Sequence, residues 1–323
     1  MPHRRPDEAG RCTALLAGVG HTPLVELSLP AERVPGNNGV RLFGKLESVN
    51  PGGSLKDRPV RRMVQSAVAA GHLRPGEMAG PRLLDSSSGN AGIAYAMVGA
   101  LLDIPVTLVV PGNATQERLD RMRAYGAEVV LTDPIEGYDH ALREARRLAA
   151  EQPDVYWHCD QYGNDENWRS HYEETGGEIL EQVEQLTGSV PDALVLGVGT
   201  GGSLTGIARR LREANRDLAV VAVVPERFPG IEGLKPLGQP GDIIPAILDE
   251  SLIDERMEVF IEDALAACRG LALQGIYVGP SSGAYVHVAT RLAERGEHPL
   301  IVTLLCDTGE RYGSTGMWSS KTR

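Results

Sequence analysis

The sequence ALVLGVGTGGS at residues 193–203 joins an apolar run to a turn rich in glycine. The apolar run predicts a buried strand, and residues 203–215 predict a helix directly after the turn. Glycines at such a junction let backbone amides converge on a phosphate, which the start of a helix also favours. Gly197, Gly199 and Gly202 also match the dinucleotide fingerprint GxGxxG, and Glu226 follows the next strand, where a ribose-binding acid could lie. The stretch therefore predicts an α/β fold with an anion site, and a nicotinamide-dependent oxidoreductase is one interpretation of it.

The same alternation of short apolar runs and helical stretches continues along most of the chain. It predicts mainly parallel sheets with helical crossovers, because such strands are covered on both faces. The polar residues 156–178 and the Gly/Pro-rich residues 225–245 lack a regular pattern and are predicted to be site loops. The predicted strands are 40–46, 83–85, 106–110, 128–132, 193–197, 220–224 and 300–305, and the predicted helices are 59–70, 89–102, 115–125, 138–151, 203–215, 262–274 and 283–295.

Composition argues against several functional classes. The chain of 323 residues is long enough for roughly two domains, and its net charge of −11 argues against nucleic acid as a partner. The apolar runs are too short to cross a membrane, and the polar residues 1–11 do not resemble a secretory signal. Scattered cysteines without CxxC spacing predict reduced thiols in a cytoplasmic protein. These are Cys12, Cys159, Cys268 and Cys306.

A second stretch, NPGGSLKDR at residues 50–58, places one lysine in an unusual setting. A Pro-Gly-Gly turn leads to Ser54 and Lys56 at the start of the helix predicted over 59–70. Pro59 suits a first turn, because its missing N–H would have no partner there. The positive end of the helix dipole disfavours an ammonium group, so Lys56 is a candidate amine nucleophile. The alternative is an ordinary surface lysine.

Two serine-rich stretches, SSSGNAG at 86–92 and GPSSGA at 279–284, also precede predicted helices. Their hydroxyls and amides suit a carboxylate, and N-capping of the helices explains them equally well. His158, Cys159 and Asp160 are disfavoured as a metal site, because neighbours on an extended segment point to opposite faces. No metal is expected. The acidic residues from 173 to 184 are predicted to form a solvated helix face.

Taken in order, these stretches resemble the cysteine synthase and cystathionine β-synthase family of fold-type II pyridoxal-phosphate enzymes, in particular the B-type O-acetylserine and O-phosphoserine sulfhydrylases. The resemblance extends from about residue 15 to 314 and also includes 20–25, 160–164, 167–168, 171–172 and 307–312. It implies an α/β fold like that of the tryptophan synthase β-subunit, with two three-layer α/β/α domains and mainly parallel twisted sheets. Residues 45–160 would form a smaller, mobile substrate-binding domain. Residues 13–44 with 161–323 would form the larger cofactor-anchoring domain, and 1–12 a flexible tail.

The resemblance also implies roles for individual residues. Lys56 would carry pyridoxal 5′-phosphate as a Schiff base and act as the catalytic base. Asn90 would bond the cofactor's 3′-oxygen, and Ser281, or the adjacent Ser282, would face its pyridine nitrogen. Its phosphate would be bound by Gly199, Thr200, Gly201, Gly202 and Ser203. The substrate would be bound by Ser87, Ser88, Gly89, Ala91, Gln161 and Arg227.

The implied reaction is β-replacement on an activated L-serine. O-acetylserine or O-phosphoserine would lose its β-substituent by a lyase-like elimination to give an α-aminoacrylate, and a sulfur nucleophile would then form L-cysteine. Another nucleophile, as in diaminopropionate-type synthases or cystathionine β-synthases, is the alternative. Ala91 in place of a common Thr, Pro280 in place of Ile and Cys306 in place of Pro leave the donor open.

The same resemblance bears on the donor's leaving group and on partners. Arg227 or Lys235 would recognise a phosphate, or both would simply face solvent. A homodimer and a thiocarboxylated sulfur-carrier protein as partner are implied, with neither nucleic acid nor membrane.

Overall fold

The computed structural model describes residues 14–87, 89–236 and 243–318. Ser88 and the tail predicted at 1–12 lie outside this range. The described residues form two compact units, one comprising residues 14–20 with Asn50–Asn167 and the other His21–Val49 with 168–318. The separate roles predicted for the two domains stay predictions.

The regular elements follow the predicted alternation closely. The strands are β1 (Leu24–Leu27), β2 (Arg41–Leu46), β3 (Arg82–Ser86), β4 (Val106–Pro111), β5 (Glu128–Thr132), β6 (Tyr156–His158), β7 (Ala193–Gly197), β8 (Ala219–Pro225), β9 (Glu255–Val259) and β10 (Leu300–Leu305). The helices are α1 (Asp57–Ala69), α2 (Asn90–Leu102), α3 (Gln116–Ala124), α4 (Gly137–Glu151), α5 (Glu166–Ser170), α6 (Gly176–Thr187), α7 (Gly202–Ala214), α8 (Ile261–Ala272) and α9 (Pro280–Arg295).

The first unit is built on a parallel sheet in the order β5-β4-β3-β6. Successive residues of its strands point to opposite faces, and both faces are covered. Leu83 packs among apolar residues of α1 and α2, whereas Leu84 packs against Ala141 and Ala145 of α4. Burial on both faces of β3 and β4 explains why their apolar residues are adjacent in the sequence and do not alternate strictly with polar ones.

The second unit is built on a sheet in the order β1-β2-β10-β7-β8-β9. β1 runs antiparallel to β2, and the remaining pairs are parallel. Helix α9 packs along β7, β8, β9 and β10. Gly283 of α9 lies so close to α8 that a Cβ there would be 2.1 Å from the Ala264 carbonyl oxygen. Among the described residues, no helix is both long and apolar enough to cross a membrane.

One prediction about the polar stretches is wrong, and a second holds for the exposed Glu173, Glu181 and Glu184 but not for Glu178. Residues 156–178 are not a loop, because they contain β6, α5, the π-helical turn His171–Thr175 and the start of α6. Their buried side chains include polar groups such as His171 and Thr175, so the sequence lacks an apolar stripe. The acidic face of α6 is not wholly solvated, since Glu178 Oε2 lies 2.6 Å from the Nζ of the buried Lys45.

Candidate active site

The turn before α1 is fixed by the carboxylate of Asp57. The Gly52 amide donates a hydrogen bond to Asp57 Oδ2, and a Cβ at Gly52 would lie 2.4 Å from Asp57 Oδ1. Gly53 has a φ of +81°, a conformation that glycine adopts without strain, and its amide donates to the Asn50 carbonyl at 2.6 Å. Backbone conformation therefore favours glycine at position 53, and the close approach of the Asp57 carboxylate favours it at position 52.

Lys56 occupies the N-cap position of α1 and is half-buried. The helix begins at Asp57, two residues before the predicted start, so Pro59 lies within its first turn as expected. The Lys56 amide donates to Ser54 Oγ at 3.2 Å. The sequence-based interpretation of a lysine held at a helix start by a Pro-Gly-Gly turn agrees with this geometry.

The serine-rich loop between β3 and α2 is held by Ser87. The buried Ser87 Oγ accepts hydrogen bonds from the Gly92 amide at 2.8 Å and the Gly89 amide at 3.2 Å. Gly89 is the N-cap residue of α2, and Ser87 acts as a capping acceptor from two residues before it, for the Gly92 amide of the first turn. A hydroxyl that accepts through its oxygen still has a proton to donate, so the same group can also bind a carboxylate. Asn90 begins the helix, and Ala91 is buried beside it.

Gln161 lies against this loop. Its side-chain Nε2 donates to the Ser86 carbonyl at 2.8 Å, and the side chain is buried. The backbone amide of Gln161 donates to Asp85 Oδ2 at 3.1 Å, and its carbonyl accepts from Asn167 Nδ2 at 2.7 Å. The first unit thus brings the predicted residues Ser87 and Gln161 together. Asp85 was missed by sequence reasoning, although a carboxylate at the end of an apolar run was a usable signal.

Electrostatic effects in the first unit centre on Asp85. Burial lowers the pKa of His158, but its interaction with Asp85 outweighs burial and leaves the pKa raised above the usual 6.5. Burial, reinforced by the Asp85 charge, raises the pKa of Tyr95 well above its usual value. Burial likewise raises the pKa of Cys159, so its thiol stays protonated at neutral pH. In the described ranges, no three His, Cys, Asp or Glu side chains cluster as metal ligands.

The glycine-rich loop of the second unit joins β7 to α7. Gly201 has a φ of +84°, and a Cβ there would lie 2.7 Å from Leu248 Cβ. A Cβ at Gly199 would lie 2.7 Å from the Gly233 carbonyl oxygen. The buried Thr200 accepts at Oγ1 from the Gly202 amide at 3.5 Å, and Ser203 lies in the first turn of α7. Helix-start amides beside residues that tolerate no side chain form a cradle, and this cradle fits a phosphate.

The two serines at the start of α9 differ in their surroundings. Ser282 is fully buried, and its Oγ accepts from the Cys306 amide at 2.8 Å at the end of β10. Ser281 is slightly more exposed. The Ser282 hydroxyl is therefore engaged by a backbone amide, which favours Ser281 as the residue that faces a ligand.

The segment from Arg227 to Lys235 packs on the glycine-rich loop. The Lys235 amide donates to the Val198 carbonyl at 2.7 Å, whereas Arg227 is exposed. Glu226, at the start of this segment, accepts at Oε1 from the Ile261 amide at 2.7 Å. Glu226 therefore caps helix α8, which argues against the interpretation of this carboxylate as a ribose ligand.

Comparison with known proteins identifies the family. The sequence pattern of the pyridoxal-phosphate dependent enzyme family matches residues 15–307. The chain belongs to this family. It is 42% identical over 327 residues to the cysteine synthase of Aquifex aeolicus, with 99% of this chain and 96% of the relative covered. Its fold is accordingly the fold-type II arrangement that the sequence predicts, and its cofactor is pyridoxal 5′-phosphate.

Solved structures agree with this assignment. The cysteine synthase of Entamoeba histolytica superposes with a TM-score of 0.84 at 33% identity, covering 96% of this chain and 91% of that one. An O-ureido-L-serine synthase superposes with a TM-score of 0.83 at 33% identity, covering 96% of both chains. The GxGxxG match is thus part of a pyridoxal-phosphate enzyme and not of a nicotinamide oxidoreductase.

The predicted site residues separate into two groups. The first unit holds Lys56, Ser87, Gly89, Asn90, Ala91 and Gln161, and the second holds Gly199, Thr200, Gly201, Gly202, Ser203, Ser281 and Arg227. Their individual roles stay predictions.

Proposed function

We propose that the protein catalyses pyridoxal-phosphate-dependent β-replacement on an activated L-serine, with a sulfur nucleophile, to give L-cysteine. The observation that carries this proposal is Lys56 at the start of α1, in a turn fixed by Asp57, in a chain similar to cysteine synthases. When bound, the cofactor supplies an electron sink for the substrate's α-carbon.

The chain's own residues divide the remaining work. Lys56 tethers the cofactor and, once free, takes the proton from the substrate's α-carbon and later returns one. Ser87 and Gln161 orient the substrate through its carboxylate. The amides and hydroxyls of residues 199–203 bind the phosphate, with Asn90 and Ser281 at the ring.

The proposal is tested on Lys56→Ala. Purified wild type should absorb visible light through bound pyridoxal phosphate and form cysteine from O-acetylserine and sulfide, whereas the variant should lose both the band and turnover. Lys235→Ala is the matched control and should keep the band, because Lys235 is tied to the loop through its backbone amide. A colourless wild type that is indifferent to pyridoxal phosphate would contradict the proposal.

Donor preference is assigned to Arg227 and Lys235, on the segment that packs against the glycine-rich loop. A guanidinium or ammonium group there suits a phosphate leaving group. We expect Arg227→Ala and Lys235→Ala to lower kcat/KM for O-phosphoserine more than for O-acetylserine. Equal losses for both donors would place the two residues outside donor selection.

A nucleophile other than sulfide is the second candidate. Its support is the similarity to an O-ureido-L-serine synthase and the Ala91 that replaces a common Thr. Competition between sulfide, thiosulfate, homocysteine, hydroxyurea and an amine for the same activated serine would rank these nucleophiles. A homodimer and a thiocarboxylated sulfur-carrier partner rest on the resemblance alone, and a cytoplasmic location rests on the scattered cysteines.

A further inference from the structure

The side chain of Asp85 is a buried carboxylate surrounded by donors. It lies near the end of β3 and is 0% exposed. Its Oδ2 accepts from Tyr95 Oη at 2.6 Å and from the Gln161 amide at 3.1 Å, and its Oδ1 accepts from the Ser86 amide at 2.8 Å. His158 Nε2 lies 3.7 Å from Oδ1. A buried carboxylate is costly unless it is paired and hydrogen-bonded, so these contacts act together.

Two of these donors are backbone amides, one of a proposed substrate-binding residue and the other of the neighbour of one. Ser86 immediately precedes Ser87, and Gln161 is itself one of the residues assigned to the carboxylate. The Gln161 side chain donates to the Ser86 carbonyl. Asp85 therefore joins two segments that also contact each other, the one at Ser86 and the one at Gln161. Asp160, just before Gln161, is held at a φ of +49°, which is strained for a residue other than glycine.

Two side chains also face the Asp85 carboxylate. The Tyr95 hydroxyl donates to Oδ2, and the His158 ring lies beside Oδ1, where the carboxylate raises the pKa of the imidazole. Asp160 and Arg146 also act on His158, with Arg146 opposing its charged form.

We propose that Asp85 is a positioning residue that holds Ser87 and Gln161 in the geometry that binds the substrate's α-carboxylate. This inference rests on the proposed function. Asp85→Asn would keep one acceptor oxygen and direct a carboxamide NH2 group toward the other donors, so it could not accept from both backbone amides.

The test compares L-serine with ethanolamine, which has the same amine and hydroxyl but no carboxylate. Binding of each is followed by the spectral change of the bound cofactor in holoenzyme, for wild type, Asp85→Asn, Tyr95→Phe and the exposed control Asp154→Asn. We expect Asp85→Asn to weaken L-serine binding at least about tenfold and ethanolamine binding little, with cofactor content unchanged. With activated serine, KM should rise more than kcat falls.

Tyr95→Phe covers the case in which Asp85→Asn does not fold. It leaves the carboxylate in place with one donor fewer, and should lower the L-serine preference by a smaller factor. The inference would be overturned if the folded variants kept the wild-type preference for L-serine over ethanolamine. It would also be overturned if they lost bound cofactor, lowered kcat and raised KM all to a similar degree. A wild type that does not prefer L-serine over ethanolamine would instead overturn the proposed function.

Discussion

Two strand-to-helix junctions, β3 to α2 and β7 to α7, have the same topology and opposite construction. At the first junction, side chains hold the loop, because Ser87 caps the helix and Asp85 and Gln161 bind the backbone beneath it. At the second, the loop is shaped by the lack of side chains at Gly199 and Gly201. The first should therefore fail when atoms are removed and the second when atoms are added.

The largest effect is expected from Gly199→Ala. The new Cβ would lie 2.7 Å from the Gly233 carbonyl oxygen, so the cradle must open. Overpacking of this kind costs about 1–3 kcal/mol, so we expect the affinity for pyridoxal phosphate to fall roughly 5- to 150-fold. Equilibrium titration of the apoprotein with the cofactor measures it.

Gly177→Ala is the control for this change, because a Cβ at Gly177 meets nothing within 4 Å. It should keep the wild-type affinity, and a small gain in stability is expected from helix propensity. Equal affinities of the two variants would show that the second junction tolerates added atoms.

At the first junction, Ser87→Ala removes the acceptor for the Gly89 and Gly92 amides. Loss of an N-cap costs about 1 kcal/mol of unfolding free energy, and we expect the substrate KM to rise as well. Urea unfolding and steady-state kinetics measure the two effects, with the exposed Ser189→Ala as the control. If Ser87→Ala left the unfolding free energy unchanged, Ser87 would not stabilise the start of α2.

A third junction, after β8, separates structure from ligand binding. Glu226→Ala should destabilise the protein by about 1 kcal/mol, because Glu226 caps α8, and should leave cofactor affinity unchanged. Glu226→Gln keeps an acceptor oxygen and should recover most of the loss. Thermal unfolding of the three proteins decides this, and a drop in cofactor affinity would place Glu226 in the site.

The smallest effect concerns pH. The pKa of His158 is raised in the folded protein, so its charged form stabilises the fold below pH about 6.5. That contribution should disappear as the pH rises through the raised pKa. Unfolding free energies of wild type and His158→Gln should therefore differ most at low pH and converge above it. A constant difference across this range would show that His158 does not titrate there.

Much of the fold was predictable because its strands are buried on both faces. Runs such as 193–197 and 300–305 are apolar except for the buried Thr303, and the predicted bounds equal those of β7 and β10. Strand β9 was missed because it lies at a sheet edge, where exposed residues alternate with buried ones in ERMEV. The buried polar residues after Asn164 hid α5 in the same way.

The candidate site was predictable where a local rule governs it. Lys56 and the glycines of residues 199–203 follow from turn and helix-start chemistry. Asp85 was not predicted, because its partners Tyr95, His158 and Gln161 are distant in sequence and meet only in the folded sheet. The local pattern marks Asp85 as a carboxylate at the end of an apolar run but does not indicate which residues it contacts.

The hydrogen bond from the Gly52 amide to the Asp57 carboxylate also makes this amide a reporter of local backbone opening. The Gly52 amide is buried and bonded to a carboxylate, so its hydrogen exchanges with deuterium only when that bond opens. Its exchange rate therefore counts openings of the backbone that carries Lys56, without any chromophore or turnover. Mass spectrometry of the peptide around residue 52 would show how rigidly the protein holds its lysine before any substrate arrives.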